Sequence, residues 1–176
     1  MSMRWIVLLR GVNVGGHGKL PMKPLKSALE TAGAQDVATY IQSGNLVFTH
    51  DLDNARNLAD WTSDLIAAEF GHRPPALALT AEALRNVIAA NPFPQAAEPK
   101  FMTFHLFDGT VDMTRLTAIR TNAYDGEEIA PGDGCLYHWP PRGIGKSKIA
   151  QKIPAAISGV TTARNLNTLR AVLDLA

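Results

Sequence analysis

The sequence predicts an α+β protein made of two tandem units, the second less regular than the first. Three observations predict this class. Over residues 1–80, apolar runs and helical periodicities follow one another as strand, helix, strand, strand, helix, strand. Over residues 81–176 much of that order returns, without any repeat at the level of residues. The 176 residues, 46% of them hydrophobic and 19% charged, have the make-up of a soluble chain able to bury a core.

In the first half, "RWIVLLR" is a short apolar run that suits a buried strand. A glycine-rich stretch follows it. Met22, Leu25, Leu29 and Ala32 then recur at helical spacing, with Pro24 in the first turn and Gly33 as a stop. "VATYI" and "NLVF" predict two strands joined by a tight "QSG" turn. Residues 54–70 predict the strongest helix, with Leu58, Trp61, Leu65, Ile66 and Phe70 as its apolar stripe. Asn54 or Asp53 would cap it, and Gly71 would end it. "PALAL" at 75–79 predicts the closing strand.

In the second half a linking helix is expected near 81–90, ending at Asn91-Pro92. "FMTFHLF" reads as a strand, "DMTRLTAIRTN" as a helix, and "EEIA" with "CLYHW" as a strand pair. Helices near 146–154 and 162–175 complete the expectation, with Thr161 or Thr162 capping the last. The order βαββαβ is the split pattern of a ferredoxin-like α/β plait. Residues 1–80 are therefore expected to form one ferredoxin-like unit carrying the glycine-rich loop. Residues 81–176 are expected to form a second, with a basic loop and a C-terminal helix. In such a unit strands one and two run the same way, with strand three antiparallel between them. The loop leaving strand one, residues 11–18, should therefore lie beside Gln42-Ser43-Gly44-Asn45.

The formal net charge of +1 conceals a segregation. Residues 1–30 sum to +4, residues 138–176 to +5, and the span between them to −8. Either a basic surface for an acidic partner or ordinary solvated faces would produce this. No apolar run approaches a membrane span, and "MSMRWIVLLRG" lacks a signal-peptide cleavage site. Cys135 is the only cysteine, so no internal disulfide forms, and a cytoplasmic address is the economical expectation.

The stretch "LLRGVNVGGHGK" raises the main functional expectation. Glycines allow positive φ and close approach of a ligand to backbone N–H groups, and a helix start follows. Arg10 and Lys19 add charge and Asn13 an amide. A loop that only turns tightly between strand and helix accounts for part of the same composition. Established phosphate fingerprints do not fit. In G-x-G-x-x-G the third glycine would fall on Pro21, and in the P-loop pattern ending at Gly145-Lys146-Ser147 the first would fall on Pro140. "PPRGIGKSK" is nevertheless a second glycine-bearing basic loop, able to bring Arg142, Lys146 and Lys148 to a phosphate.

Catalytic signals are sparse. His17, His50, His72, His105 and His138 show no metal-ligand spacing, so no metal site is expected. Ser43 would need His17 as a base to serve as a nucleophile, and serine is common in turns for conformational reasons. Cys135 reads as a small core residue, and Trp5, Trp61, Trp139, Phe101 and Phe104 read as packing. A base-stacking platform is disfavoured because "FMTFHLF" offers no basic residue beside its aromatics.

"LLRGVNVGG", "TYIQSGNLVF", "NPFP", "GIGKSK" and "ARNLNT" occur in the order and spacing of an uncharacterised bacterial family, domain of unknown function 1697, which the whole chain resembles. The resemblance implies tandem ferredoxin-like units and no established activity, substrate or cofactor. Leu166 stands where the family often has Trp, and Gly18 where it often has a polar residue. The leading expectation is a cytoplasmic protein binding a small phosphorylated or nucleotide-like anion. Its site would comprise Arg10, Asn13, Gly15, Gly16, Lys19, Gln42, Ser43 and Asn45, joined by Lys146, Lys148 and Arg164 from the second unit. A nucleic-acid-binding module and a non-catalytic scaffold are the alternatives. Reaction, cofactor and oligomeric state are left open by the sequence.

Overall fold

A computed structural model describes residues 1–93 and 98–176. Pro94 of the "NPFP" motif lies outside the described residues. Two compact units are present: Met1–Leu84 together with Arg170–Ala176, and Arg85–Leu169.

The first unit runs β1 (Met3–Leu9), α1 (Met22–Thr31), β2 (Gln35–Tyr40), β3 (Asn45–His50), α2 (Ala55–Phe70) and β4 (Ala76–Leu79). Its sheet has the order β2-β3-β1-β4, every neighbouring pair antiparallel. The apolar run Trp5–Leu9 is buried throughout, as a continuous rather than alternating pattern requires of a central strand. Trp5, Val7 and Leu9 join Leu46, Phe48, Leu25, Leu29, Leu58 and Ile66 in one core. Arg4 reaches the C-terminus of the chain, where its guanidinium donates to Leu175 O at 2.8 Å.

Two details of this unit differ from the expected pattern. Ala32 is exposed and serves as the C-cap of α1 instead of continuing its apolar face. On α2, Leu58 and Ile66 are fully buried, whereas Trp61, Leu65 and Phe70 are half-buried at the margin of the core. The rest of the buried face belongs to Ala59, Thr62 and Ser63. Local hydrogen bonds make polar residues acceptable there: Thr62 Oγ1 donates to Leu58 O and Ser63 Oγ to Pro74 O, each at 2.8 Å. The Asn54 cap is as expected, its side chain accepting from Asn57 N at 3.0 Å.

The helix α3 (Ala81–Ala89) starts in the first unit and ends in the second. The second unit then runs β5 (Thr103–Phe107), α4 (Met113–Arg120), β6 (Glu128–Gly132), β7 (Cys135–Trp139) and β8 (Thr161–Asn165), and α5 (Leu166–Leu175) ends the chain. Its sheet order, β6-β7-β5-β8, is again antiparallel throughout. Pro131, which has no N–H to give, sits on the edge strand β6.

Two expected helices are corrected in this unit. Residues 146–154 do not form one helix; the segment holds two short 3-10 turns, Ile144–Lys146 and Ile153–Ala156. Pro154 has no N–H to donate and disfavours a helical conformation in the residue before it, so a helix cannot run on through this segment. Likewise "TTARN" is strand β8, not the first turns of a helix. Its β-branched Thr161 and Thr162 pair with Phe107 and Leu106 of β5. The cap of α5 is Asn165, whose Oδ1 accepts from Thr168 N at 2.8 Å, so neither Thr161 nor Thr162 caps it. Among the described residues no helix is long and apolar enough to cross a membrane.

Candidate functional site

The glycine loop is a small hairpin. Val14 and His17 exchange backbone hydrogen bonds at 3.3 and 2.9 Å, with Gly15 at φ 56° and Gly16 at φ 80° between them. Two successive positive φ values are the mark of a mirror-image two-residue turn, which explains why both positions are glycine. A Cβ on either would meet nothing within 4 Å, so the tip is open to approach.

The hairpin is fastened by Asn13. Its Nδ2 donates to Leu20 O at 2.8 Å and to Gln42 O at 2.6 Å, while its Oδ1 accepts from Leu20 N at 2.8 Å. The glycine loop therefore lies beside the β2–β3 turn, as the strand order demands. Within that turn Asn45 is buried and donates to Tyr40 O at 3.1 Å and Ser43 Oγ at 3.0 Å. Gly44 packs where a Cβ would fall 2.6 Å from Val12 Cγ2 and 2.7 Å from Leu9 Cβ. Asn13 and Asn45 thus shape the loops, leaving Arg10, Lys19, Gln42 and the hairpin tip exposed at this end of the first unit.

Ile41, in the same turn, is strained. Its φ is 49°, a conformation costly for a β-branched residue, and its side chain is 53% exposed. An exposed side chain offers little packing in return. Replacing Ile41 by Asn, which tolerates this conformation, should raise stability by about 1 kcal/mol. Chemical denaturation would check it; a loss of stability would mean that Ile41 makes a contact outweighing its strain.

In the second unit the basic loop is held by a buried carboxylate. Glu127 Oε2 accepts from Tyr124 N at 3.1 Å, and its Oε1 lies 2.7 Å from His138 Nε2. Ser147 Oγ donates to the same Oε1 and accepts from Ile149 N and Ala150 N. The side chains of Glu127 and His138 are fully buried. As a carboxylate Glu127 has only lone pairs to offer, so Nε2 is the protonated nitrogen of His138. Burial lowers the His138 pKa, with Glu127 opposing. His138 Nδ1, His105 Nε2 and Thr161 Oγ1 are buried without a hydrogen-bond partner. The 105 and 138 rings lie 5.7 Å apart, and burial brings His105 down to about 3.

This anchored loop leaves Arg142, Lys146 and Lys148 exposed. Tyr124 Oη accepts from Arg142 N at 3.0 Å, and the Arg142 guanidinium carbon stands 5.1 Å from the Tyr124 ring centroid. Arg164 lies on β8, half-buried, and donates to Thr162 Oγ1 at 2.8 Å; burial brings its pKa down to about 10. Cys135 is buried, and burial pushes its thiol up. Among the described residues no group of three or more His, Cys, Asp or Glu could hold a metal ion.

The sequence reading missed the Glu127–His138–Ser147 network, although a histidine inside the apolar run "CLYHW" was a usable sign. It also missed a basic neighbour for Phe101. Lys100 directly precedes "FMTFHLF", and its Nζ stands 5.0 Å from the Phe101 ring centroid.

The model of the family described as "Protein of unknown function (DUF1697)" matches residues 3–137. The chain belongs to this family. The matched span of this DUF1697 member includes the glycine hairpin and ends on β7, before the basic loop. A solved structure, that of conserved bacterial protein SP0830 from Streptococcus pneumoniae, is similar over 99% of both chains, with a TM-score of 0.75 and 22% identity. The likeness is one of fold. No curated protein matches the chain.

Proposed function

We propose that the end of the first unit formed by the glycine hairpin and the β2–β3 turn binds a small phosphorylated or nucleotide-like anion. The observation carrying this reading is the clamp by which Asn13 fixes the hairpin to Leu20 O and Gln42 O. A loop fastened at its base, with an open glycine tip and exposed Arg10 and Lys19 on its flanks, is organised before any ligand arrives. Backbone N–H groups at Gly15 and Gly16 would approach the anion, the two cations would add charge, and Gln42 would supply an amide. Asn13, Ser43 and Asn45 act on this reading by holding the loops in shape. Lys146, Lys148 and Arg164 would belong to a basic surface of the second unit.

The strand order β2-β3-β1-β4 within a βαββαβ succession supports a ferredoxin-like reading of the first unit. The second unit shares the strand order, with 3-10 turns where a second helix would stand. The proposal is one of binding, with no reaction assigned. Calorimetric titration of pyrophosphate into the wild-type protein and into Arg10→Ala and Lys19→Ala variants tests it.

A further inference from the structure

We propose that the second unit carries a separate site, built on its basic loop, that binds single-stranded nucleic acid by stacking bases on Phe101 and Tyr124. Three observations converge on it. Each ring is half-buried and has a cation over it: Lys100 Nζ at 5.0 Å for Phe101 and the Arg142 guanidinium at 5.1 Å for Tyr124. The rings are joined through the loop itself. Arg142 N donates to Tyr124 Oη, and a Cβ on Gly143 would lie 3.3 Å from Phe101 Cε1, so the backbone passes against that ring. Finally, the loop is anchored from inside the protein. Glu127 binds Tyr124 N with one oxygen and Ser147 with the other, so one buried carboxylate sets both the ring and the loop that carries Lys146 and Lys148.

That arrangement suits a base and its phosphate together. Bases stack on aromatic faces and guanidinium planes without regard to sequence, while nearby lysines follow the backbone phosphates. Among the exposed side chains of these segments, Lys100, Arg142, Lys146 and Lys148 stand against Glu98, Asp125 and Glu128, an excess of one positive charge. The Lys100–Glu98 pair, at 3.5 Å between exposed side chains, is of the weak surface kind that a phosphate can replace. A bare inorganic anion would use the cations but leave both rings idle, so the rings favour a base-bearing ligand.

Fluorescence anisotropy with a labelled oligouridylate octamer, at low salt, tests the site. The protein should bind it saturably, with affinity falling as salt rises. Arg142→Ala and Phe101→Leu should each weaken binding about tenfold. If the site is the second unit's own, the Arg10→Ala, Lys19→Ala double variant should change it by less than about twofold. UMP should compete weakly, and tripolyphosphate no better than its charge alone provides. Melting temperatures of Arg142→Ala, an exposed position, establish that a loss of binding is not a loss of fold. Absence of saturable binding at millimolar protein, binding unchanged in both variants, or a double-variant loss as large as theirs would overturn the proposal.

Discussion

Replacing Glu127 by Ala should destabilise the protein by about 3–5 kcal/mol, because it leaves the donors that its side chain satisfies without an acceptor. The substitution strands three donors at once: Tyr124 N, His138 Nε2 and the Ser147 hydroxyl. A fully buried donor such as His138 Nε2 left without an acceptor costs roughly 1–3 kcal/mol, and the part-buried Tyr124 N and Ser147 hydroxyl add less each. Glu127→Gln keeps one acceptor oxygen and most of the volume, so its loss should be smaller than that of the alanine variant. Denaturant unfolding followed by circular dichroism distinguishes the two. If alanine costs less than about 1 kcal/mol, the network is not the anchor of the basic loop that its geometry describes.

The second large effect is acid lability. His105 takes up its proton near pH 3 in the folded protein, because burial lowers it from an ordinary value of 6.5, with His138 adding to the effect. Between those values the unfolded chain binds more protons than the folded one. Stability is therefore fully present above pH 6.5 and falls, by up to about 1.4 kcal/mol per pH unit from this residue alone, as pH drops toward 3. The downward shift of His138 works in the same direction. Substituting His105 by Leu removes a buried group whose Nε2 has no partner, and should flatten the profile between pH 6.5 and 4.5. An unchanged slope in that variant would place the acid sensitivity elsewhere.

How far such features can be read from sequence depends on the range of the interactions that make them. The first unit was legible because its signals are local. Trp5–Leu9 is a continuous apolar strand, Asn54 and Gly71 bracket α2, and Gly15-Gly16 forces a turn. Strand order then placed the glycine hairpin beside Gln42, as the Asn13 bond bears out. The face of α2 was read in part: Leu58, Trp61, Leu65, Ile66 and Phe70 all pack in or against the core, but Thr62 and Ser63, which count as polar in a periodicity, share it because each finds a carbonyl nearby. "TTARN" resembled a helix start because Thr and Asn cap helices; only pairing with β5, more than fifty residues earlier, made it a strand. The Glu127 network was invisible for the same reason. Tyr124, His138 and Ser147 are spread over 24 residues, and their common carboxylate gives no periodicity.

The claim that matters most is that the glycine hairpin of the first unit is a binding site as well as a turn. Isothermal calorimetry with pyrophosphate, on the wild-type protein and on Arg10→Ala and Lys19→Ala, addresses it most directly. Both residues are exposed, so the variants should melt as the wild type does while isolating the charge. The account predicts measurable binding by the wild type, weakened by roughly 1.5–3 kcal/mol in each variant, the scale of a charge-assisted hydrogen bond. Absence of heat at millimolar pyrophosphate, or binding that survives both charge deletions, would contradict it and leave Gly15 and Gly16 with the turn as their whole role.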